Sequence, residues 1–296
     1  MDSSRGPGPR RRPPAERVRD RLRQAAGSEV AASLPDGYQR LGRVLVLRLP
    51  ESLRPYHPLI GAAWREELGV DTVLVRTGPI EGELRTPLVE RIAGDDTETE
   101  VVEHGIRWRF DAARIMFAAG NRVERVRAGA LVRRGESVAD LFAGIGYFAI
   151  PAAVRGRARE VVAVDKNPIA LHYLEVNAAR NRVADRVRPV LGENRAVALP
   201  IAAFDRVFLG YLPSALPWVP RALELLRPGG GWVHVHFVAD VRAGRTGPVR
   251  DVVGALTQAG GGLLELPSAR IVKPYGPGRN HVVVDAHVRP GSARGS

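Results

Sequence analysis

The residues of this chain best suited to chemistry begin with a pair of glycines and a pair of carboxylates. An apolar run from Val138 ends at Asp140; Gly144 and Gly146 follow at alternate positions, and apolar residues resume through Pro151. The pattern predicts a strand, a tight turn and the start of a helix. Such a turn, bare of side chains, lets a ligand approach the free N–H groups at the helix start. One strand later, Val161-Val162-Ala163-Val164 ends at Asp165, with Lys166, Asn167 and Pro168 next. An acid in that place accepts hydrogen bonds from two ribose hydroxyls, or it caps the following helix. Ala149 stands where a dinucleotide fingerprint has its third glycine, a replacement such turns tolerate.

Further candidates lie at the ends of later strands. Val187 to Leu191 leads into Gly192, Glu193 and Asn194, and Arg206 to Leu209 leads into Gly210 and Tyr211. In a doubly wound sheet these ends face the ligand crevice, which makes Glu193 and Asn194 candidates for adenine recognition. Tyr211 either stacks on a base or packs. Upstream, Gly120-Asn121 forms a turn whose backbone could face a ligand, and Arg125 could reach a carboxylate. His234 and His236 stand two apart on a strand and share a face. They lack a visible third ligand, so no metal is expected.

The elements that must position these residues alternate strand and helix from Ser137 onward. Asn167 is a good N-cap with Pro168 at the first helical position, and a helix to Asn181 follows. Helices are expected over 215–226 and 248–258. A closing hairpin, Ala269 to Lys273 with His281 to His287, folds over Pro274-Tyr275-Gly276-Pro277-Gly278. The expected fold class is α/β: a doubly wound, Rossmann-like sheet of the class I methyltransferase kind over 135–288, preceded by a smaller α+β domain over 38–134. In that smaller domain, strands at 43–49 and 73–76, a helix at 58–68 and a hairpin folded at His104-Gly105 are expected. Residues 1–37 are read as a disordered basic arm with a short helix from Ala15 to Ala26, and 289–296 as a tail.

Composition narrows the class. The 296 residues contain no cysteine, which removes disulfides, thiolate catalysis and zinc–sulfur sites. The formal charge is +12, and eight arginines against three acids through Arg23 put much of it in the arm. Such an excess favours a polyanionic partner, RNA above all. No secretory signal or 18-residue apolar span is evident, so a cytoplasmic protein without a membrane partner, and a monomer, is expected.

Taken together, these motifs resemble the tRNA guanine-37 N1-methyltransferases and the related wybutosine-synthesis aminocarboxypropyl transferases. The resemblance runs from about Gly82 to His287. It rests on Phe110-Asp111, Met116-Phe117, Gly120-Asn121 with Glu124, the stretch from Asp140 to Pro151, Asp165 to Pro168, Asn177, and Lys273 to Gly278. It implies S-adenosylmethionine as cofactor and tRNA as partner. It also implies that Arg125, Asp165, Glu193 and Asn194 contact the cofactor, beside Asp140, Ala143, Gly144, Gly146, Lys166 and Gly210, with Asn121 and Tyr211 on the substrate side. Ala118 departs from the family's usual serine. The methyltransferase branch has an Asn-Leu-Pro signature where this chain has Leu209-Gly210-Tyr211-Leu212-Pro213. That difference and the Gly120-Asn121 turn favour 3-amino-3-carboxypropyl transfer over methyl transfer. No general base is identified, with Glu193 and His234 as the two to test. A small-molecule methyltransferase and a non-catalytic RNA-binding protein remain the alternatives, separated by salt-sensitive tRNA binding and by cofactor binding.

Overall fold

The computed structural model describes residues 12–80 and 82–291. Residues 1–11 of the expected arm, Glu81 and residues 292–296 of the expected 289–296 tail lie outside it, while Arg289 belongs to the last strand. The described chain divides into two compact units, the first reaching Val101 and taking in Arg109–Phe117, the second made of Val102–Trp108 and the chain from Ala118 onward.

The first unit opens with α1 (Pro14–Ala26) and α2 (Ser28–Ala32). Then come β1 (Tyr38–Leu41), β2 (Val44–Leu47), α3 (His57–Leu68), β3 (Thr72–Arg76) and β4 (Val89–Ala93). The sheet order is β1-β2-β3-β4, with β2 and β3 parallel and joined through α3. Val18 and Leu22 of α1 share a core with Leu45, Trp64 and Val73, all essentially inaccessible to solvent. The unit therefore starts well upstream of the expected boundary at Tyr38, because α1 contributes an apolar face to the core. β1 and β4 were not expected. β4 is half-exposed along its length, and its polar residues hide the pattern that a buried strand shows.

The hairpin of β5 (Glu98–Glu103) and β6 (Ile106–Asp111) carries the chain through both units. It folds where expected: His104 and Gly105 both have positive φ, 49° and 79°, as a two-residue hairpin turn requires.

The second unit continues with α4 (Arg122–Leu131), β7 (Ser137–Asp140), α5 (Ala149–Val154), β8 (Glu160–Asp165), α6 (Pro168–Arg180) and β9 (Val187–Leu191). It ends with β10 (Arg206–Leu209), α7 (Val219–Leu225), β11 (Gly231–Asp240), α8 (Thr246–Gln258), β12 (Gly262–Leu263), β13 (Ser268–Gly276) and β14 (Arg279–Arg289). The sheet order is β12-β14-β11-β10-β7-β8-β9, with β13 also on β14. β11, β10, β7, β8 and β9 run parallel, and β14 is antiparallel to β11. This is the expected doubly wound sheet with a closing hairpin. Strand order reverses between β7 and β10, which opens a crevice beyond their C-terminal ends.

Three local expectations change. The glycine stretch does not enter a helix at once: 141–148 is a run of turns, and α5 begins only at Ala149. The helix expected over 215–226 splits into a 3-10 turn at Leu216–Trp218 and α7, because Pro217 and Pro220 restrict where a helix can start. The closing hairpin is tighter than expected, with only Pro277-Gly278 between its strands.

Candidate active site

Asp140, at the end of β7, is fully buried. Its Oδ1 accepts the Phe142 amide at 3.3 Å, while Oδ2 has no hydrogen-bond partner. Burial pushes the carboxyl up to about 7 despite that donor. Beyond it, Gly144 and Gly146 take φ of 54° and 100°. A Cβ on Gly146 would lie 2.6 Å from both Ile150 and Leu174, so only glycine lets the turn pack on α5 and α6. Ala143, also buried, donates its amide to Val164 O at 3.0 Å and ties the turn to β8.

Asp165, at the end of β8, uses both oxygens locally: Oδ2 accepts the Gly144 amide at 2.7 Å and Oδ1 the Asn167 amide at 2.9 Å. Burial raises its carboxyl, and these amides pull against that rise. The capping role belongs to Asn167, whose side chain accepts from Ile169 and Ala170 at the start of α6. Asp165 thus fastens the glycine turn to its own strand end, and its remaining lone pairs stay at a half-buried position on the crevice.

The other strand ends complete the rim. Lys166 Nζ lies 3.7 Å from Glu193 Oε2, with Glu193 about half exposed. Tyr211 stacks on Phe142 at 5.0 Å and meets Trp218 edge-on at 5.4 Å, so packing holds its ring. A Cβ on Gly210 would come 2.7 Å from the Phe148 ring, so the residue after β10 must be small there. These placements bring Asp140, Ala143, Gly144, Gly146, Asp165, Lys166, Glu193, Gly210 and Tyr211 to one edge of the sheet.

Two expected contacts change. The side-chain oxygen of Asn194 accepts the Trp218 indole N–H at 2.7 Å, and its amide donates to Leu141 O at 2.8 Å. Asn194 is buried and braces the rim from behind, with the side-chain oxygen and amide that made it a candidate for adenine recognition both engaged inside the protein. Arg125 is buried and pairs with Glu103 at 2.5 Å. It also donates to Ala118 O at 3.0 Å and lies over the rings of Trp108 and Tyr147. The carboxylate on this guanidinium is the protein's own, and Arg125 positions the turn leading to Asn121. The Asn121 side-chain oxygen is buried without a partner, and the Lys273 ammonium lies beside Gly120.

A buried polar chain runs beside β11 and β14, and of its members the sequence singles out only the histidines and, through the family resemblance, Glu124. His234 is held through Nδ1 by Asp285 at 2.6 Å and through Nε2 by Arg206 at 2.7 Å. Arg127 bridges Asp285 and Glu124, each at 2.6 Å. Burial pushes Asp285 up, but the hydrogen bonds and charges of His234 and Arg127 outweigh it and hold the carboxyl far below the usual range. Burial pushes Glu124 up and His236 well down. His236 pairs with His281 at 3.0 Å and stacks on Phe148. A signal was available in Asp285, a lone charge inside the apolar run of β14. With both ring nitrogens engaged, His234 is unsuited to direct proton transfer.

The family model described as TRM5/TYW2 methyltransferase domain matches residues 99–255, and the model described as TYW2 N-terminal domain matches residues 18–97. The chain is 36% identical over 272 residues to the tRNA(Phe) (4-demethylwyosine(37)-C(7)) aminocarboxypropyltransferase of Pyrococcus horikoshii, covering 92% of this chain and 96% of the relative. A relative of the same description from Methanocaldococcus jannaschii is 34% identical over 249 residues, covering 84% and 96%. The solved structure of Pyrococcus horikoshii TYW2 in complex with MeSAdo superposes with a TM-score of 0.82 at 32% identity, covering 94% of this chain and 100% of that one.

Proposed function

The chain belongs to the TRM5/TYW2 methyltransferase family, and from that premise we propose that it is an S-adenosylmethionine-dependent transferase that adds a 3-amino-3-carboxypropyl group to a guanosine-derived base at position 37 of tRNA. One observation carries the cofactor half of this reading: Asp165 holds the Gly144 amide at 2.7 Å, at the point where strand order reverses. The donor set fits an adenosyl ligand. It offers a bare backbone turn at Gly144, a carboxylate at the next strand end for the ribose, and the half-exposed Glu193 carboxylate for an exocyclic amine.

Bound S-adenosylmethionine supplies a sulfonium whose attached carbons are open to in-line displacement. The protein chooses among those carbons by the pose it holds. In this reading Asp165, Gly144, Gly146 and Gly210 fix the nucleoside half, Lys166 orients Glu193, and Asn121 and Tyr211 face the acceptor. The Gly120-Asn121 turn and the Gly210-Tyr211 pair support aminocarboxypropyl over methyl transfer, and the two curated relatives carry that activity in their descriptions. A carbon nucleophile must lose a proton; with Glu193 assigned to the adenine amine and both ring nitrogens of His234 engaged, neither of these two is placed to take it. The protein works as a cytoplasmic monomer without a metal ion. Among the described residues no helix is long and apolar enough to cross a membrane.

The test uses tRNA carrying the tricyclic guanosine at position 37, with cofactor labelled in the methyl group or in the carboxypropyl group. The reading expects only the carboxypropyl label in tRNA. Transfer of the methyl label overturns it in favour of methylation.

A further inference from the structure

The strands of the parallel sheet have two ends, and the residues described for catalysis crowd one of them. At the other end lies a cleft of about 460 Å³, lined by Arg134, Arg157, Arg159 and Arg186 together with Gly135 and Ala158. Arg134 and Gly135 lead into β7, Arg157 to Arg159 lead into β8, and Arg186 leads into β9. Three parallel strands thus begin at this cleft and end at the crevice. The four residues of β7, at about 3.3 Å each, keep the two places apart.

The cleft differs in charge from its surroundings. Several other arginines of the same unit are matched by acids: Arg125 by Glu103, Arg127 by Glu124 and Asp285, Arg206 by Glu136, Arg227 by Asp205. Among the described residues lining the cleft there is no carboxylate. Arg159 donates to the Ser137 hydroxyl at 2.7 Å, and Arg186 to Ala153 O at 2.9 Å with Asp185 at 3.8 Å from its Nε. Arg134 and Arg157 are exposed, and no hydrogen bond or ion pair of their side chains is found among the described residues, the Arg157 carbonyl alone accepting the Gly135 amide at 3.2 Å. Arginines gather at helix C-termini because the last carbonyls attract cations, and Arg186 serves α5 in that way. That accounts for one of the four. Arg157 also holds a left-handed backbone, φ 52°, next to Gly156, where a Cβ would lie 2.4 Å from Val132. The turn that presents Arg157 is therefore pinned by close packing.

Four guanidinium groups on one concave site, of which only that of Arg186 has a carboxylate within 4 Å, form a receptor for phosphate oxygens, which match the planar fork of N–H donors. We propose that this cleft binds a phosphate group, and that in the working protein the phosphate belongs to an RNA backbone. The second clause rests on tRNA being the substrate; the first does not. A phosphodiester seated there anchors the nucleic acid at a point remote from the modified base, adding affinity and no sequence reading.

The test compares the full chain with the Arg134→Ala/Arg157→Ala double variant, whose exposed side chains leave the core intact. It measures tRNA binding across a salt series, titration with inorganic phosphate, and cofactor binding by calorimetry. A backbone contact predicts roughly tenfold weaker tRNA binding at low salt and a salt dependence shallower by about one or two ions, with cofactor binding unchanged. Saturable inorganic phosphate binding that the variant loses, with tRNA binding intact, keeps the phosphate site and overturns the RNA clause. No change in either binding overturns the site. So does an equal loss of tRNA affinity in Arg245→Ala/Arg250→Ala, which removes the same charge outside the cleft. None of these readouts uses group transfer, so a failure of the proposed reaction is distinguishable from a failure of the cleft.

Discussion

Asp165 and Gly144 sit on different strand-to-helix connections, yet one carboxylate oxygen of Asp165 accepts the Gly144 amide at 2.7 Å. In the proposed function, the acid assigned to the cofactor's ribose is also the clasp that keeps the glycine turn in shape. Binding and preorganisation therefore share one side chain.

Asp165→Ala removes the clasp and the ribose acceptor together. Cofactor affinity falls by at least about 30-fold, since hydrogen bonds to a charged group contribute roughly 1.5–3 kcal/mol each. Calorimetric titration of the variant with S-adenosylmethionine checks this, and affinity equal to the parent's would refute the assigned cofactor site.

Gly146→Ala puts a methyl group 2.6 Å from Ile150 and Leu174 at a φ of 100°. Left-handed backbone costs about 1–2 kcal/mol for a residue with a Cβ, and overpacking about 1–3 more. The variant loses roughly 2–5 kcal/mol in urea unfolding and binds cofactor poorly. A neutral effect on stability would show that the turn does not need glycine.

Asp140 gives stability a pH dependence of definite sign. Its folded pKa, about 7, lies above the ordinary carboxylate value, so the folded state binds more protons than the unfolded chain between those values. The contribution is fully present below the unfolded pKa and is lost as pH rises toward 7. Asp140→Asn removes this slope, so the variant gains stability relative to the parent at pH 8 compared with pH 4. Denaturant unfolding of both proteins at the two pH values is the check; a stability difference that stays constant with pH sinks the prediction.

Neighbouring residues at the end of β9 separate by role. Asn194→Ala strands the Trp218 indole N–H in the interior and costs about 1–3 kcal/mol of stability. Glu193→Ala, at an exposed side chain, leaves stability within about 0.5 kcal/mol and weakens discrimination between adenosyl and inosyl forms of the cofactor. Thermal melts together with competition by the inosyl analogue measure both; the opposite assignment of effects would exchange their roles.

Much of the positioning machinery was legible before any coordinates. The turn at Gly144 and Gly146, the cap at Asn167, the fold-back at His104-Gly105 and the run of strands ending in acids all appear as expected, because each depends on residues a few positions apart. β4 escaped notice, since a half-exposed polar strand is marked mainly by the neighbour it pairs with. Asn194 was assigned outward from its place at a strand end. Its orientation depends on Trp218, 24 residues on, and on Leu141, 53 residues back.

The sequence by itself determined the alternation of strand and helix, the glycine turn and the set of carboxylates at strand ends, since period, cap and turn chemistry are local. Tertiary structure alone decided which of those groups remain available to a ligand. Arg125 meets Glu103 across 22 positions and Arg127 meets Asp285 across 158, and nothing in either neighbourhood specifies the partner. A buried charge must be paired, and the fold decides with which residue.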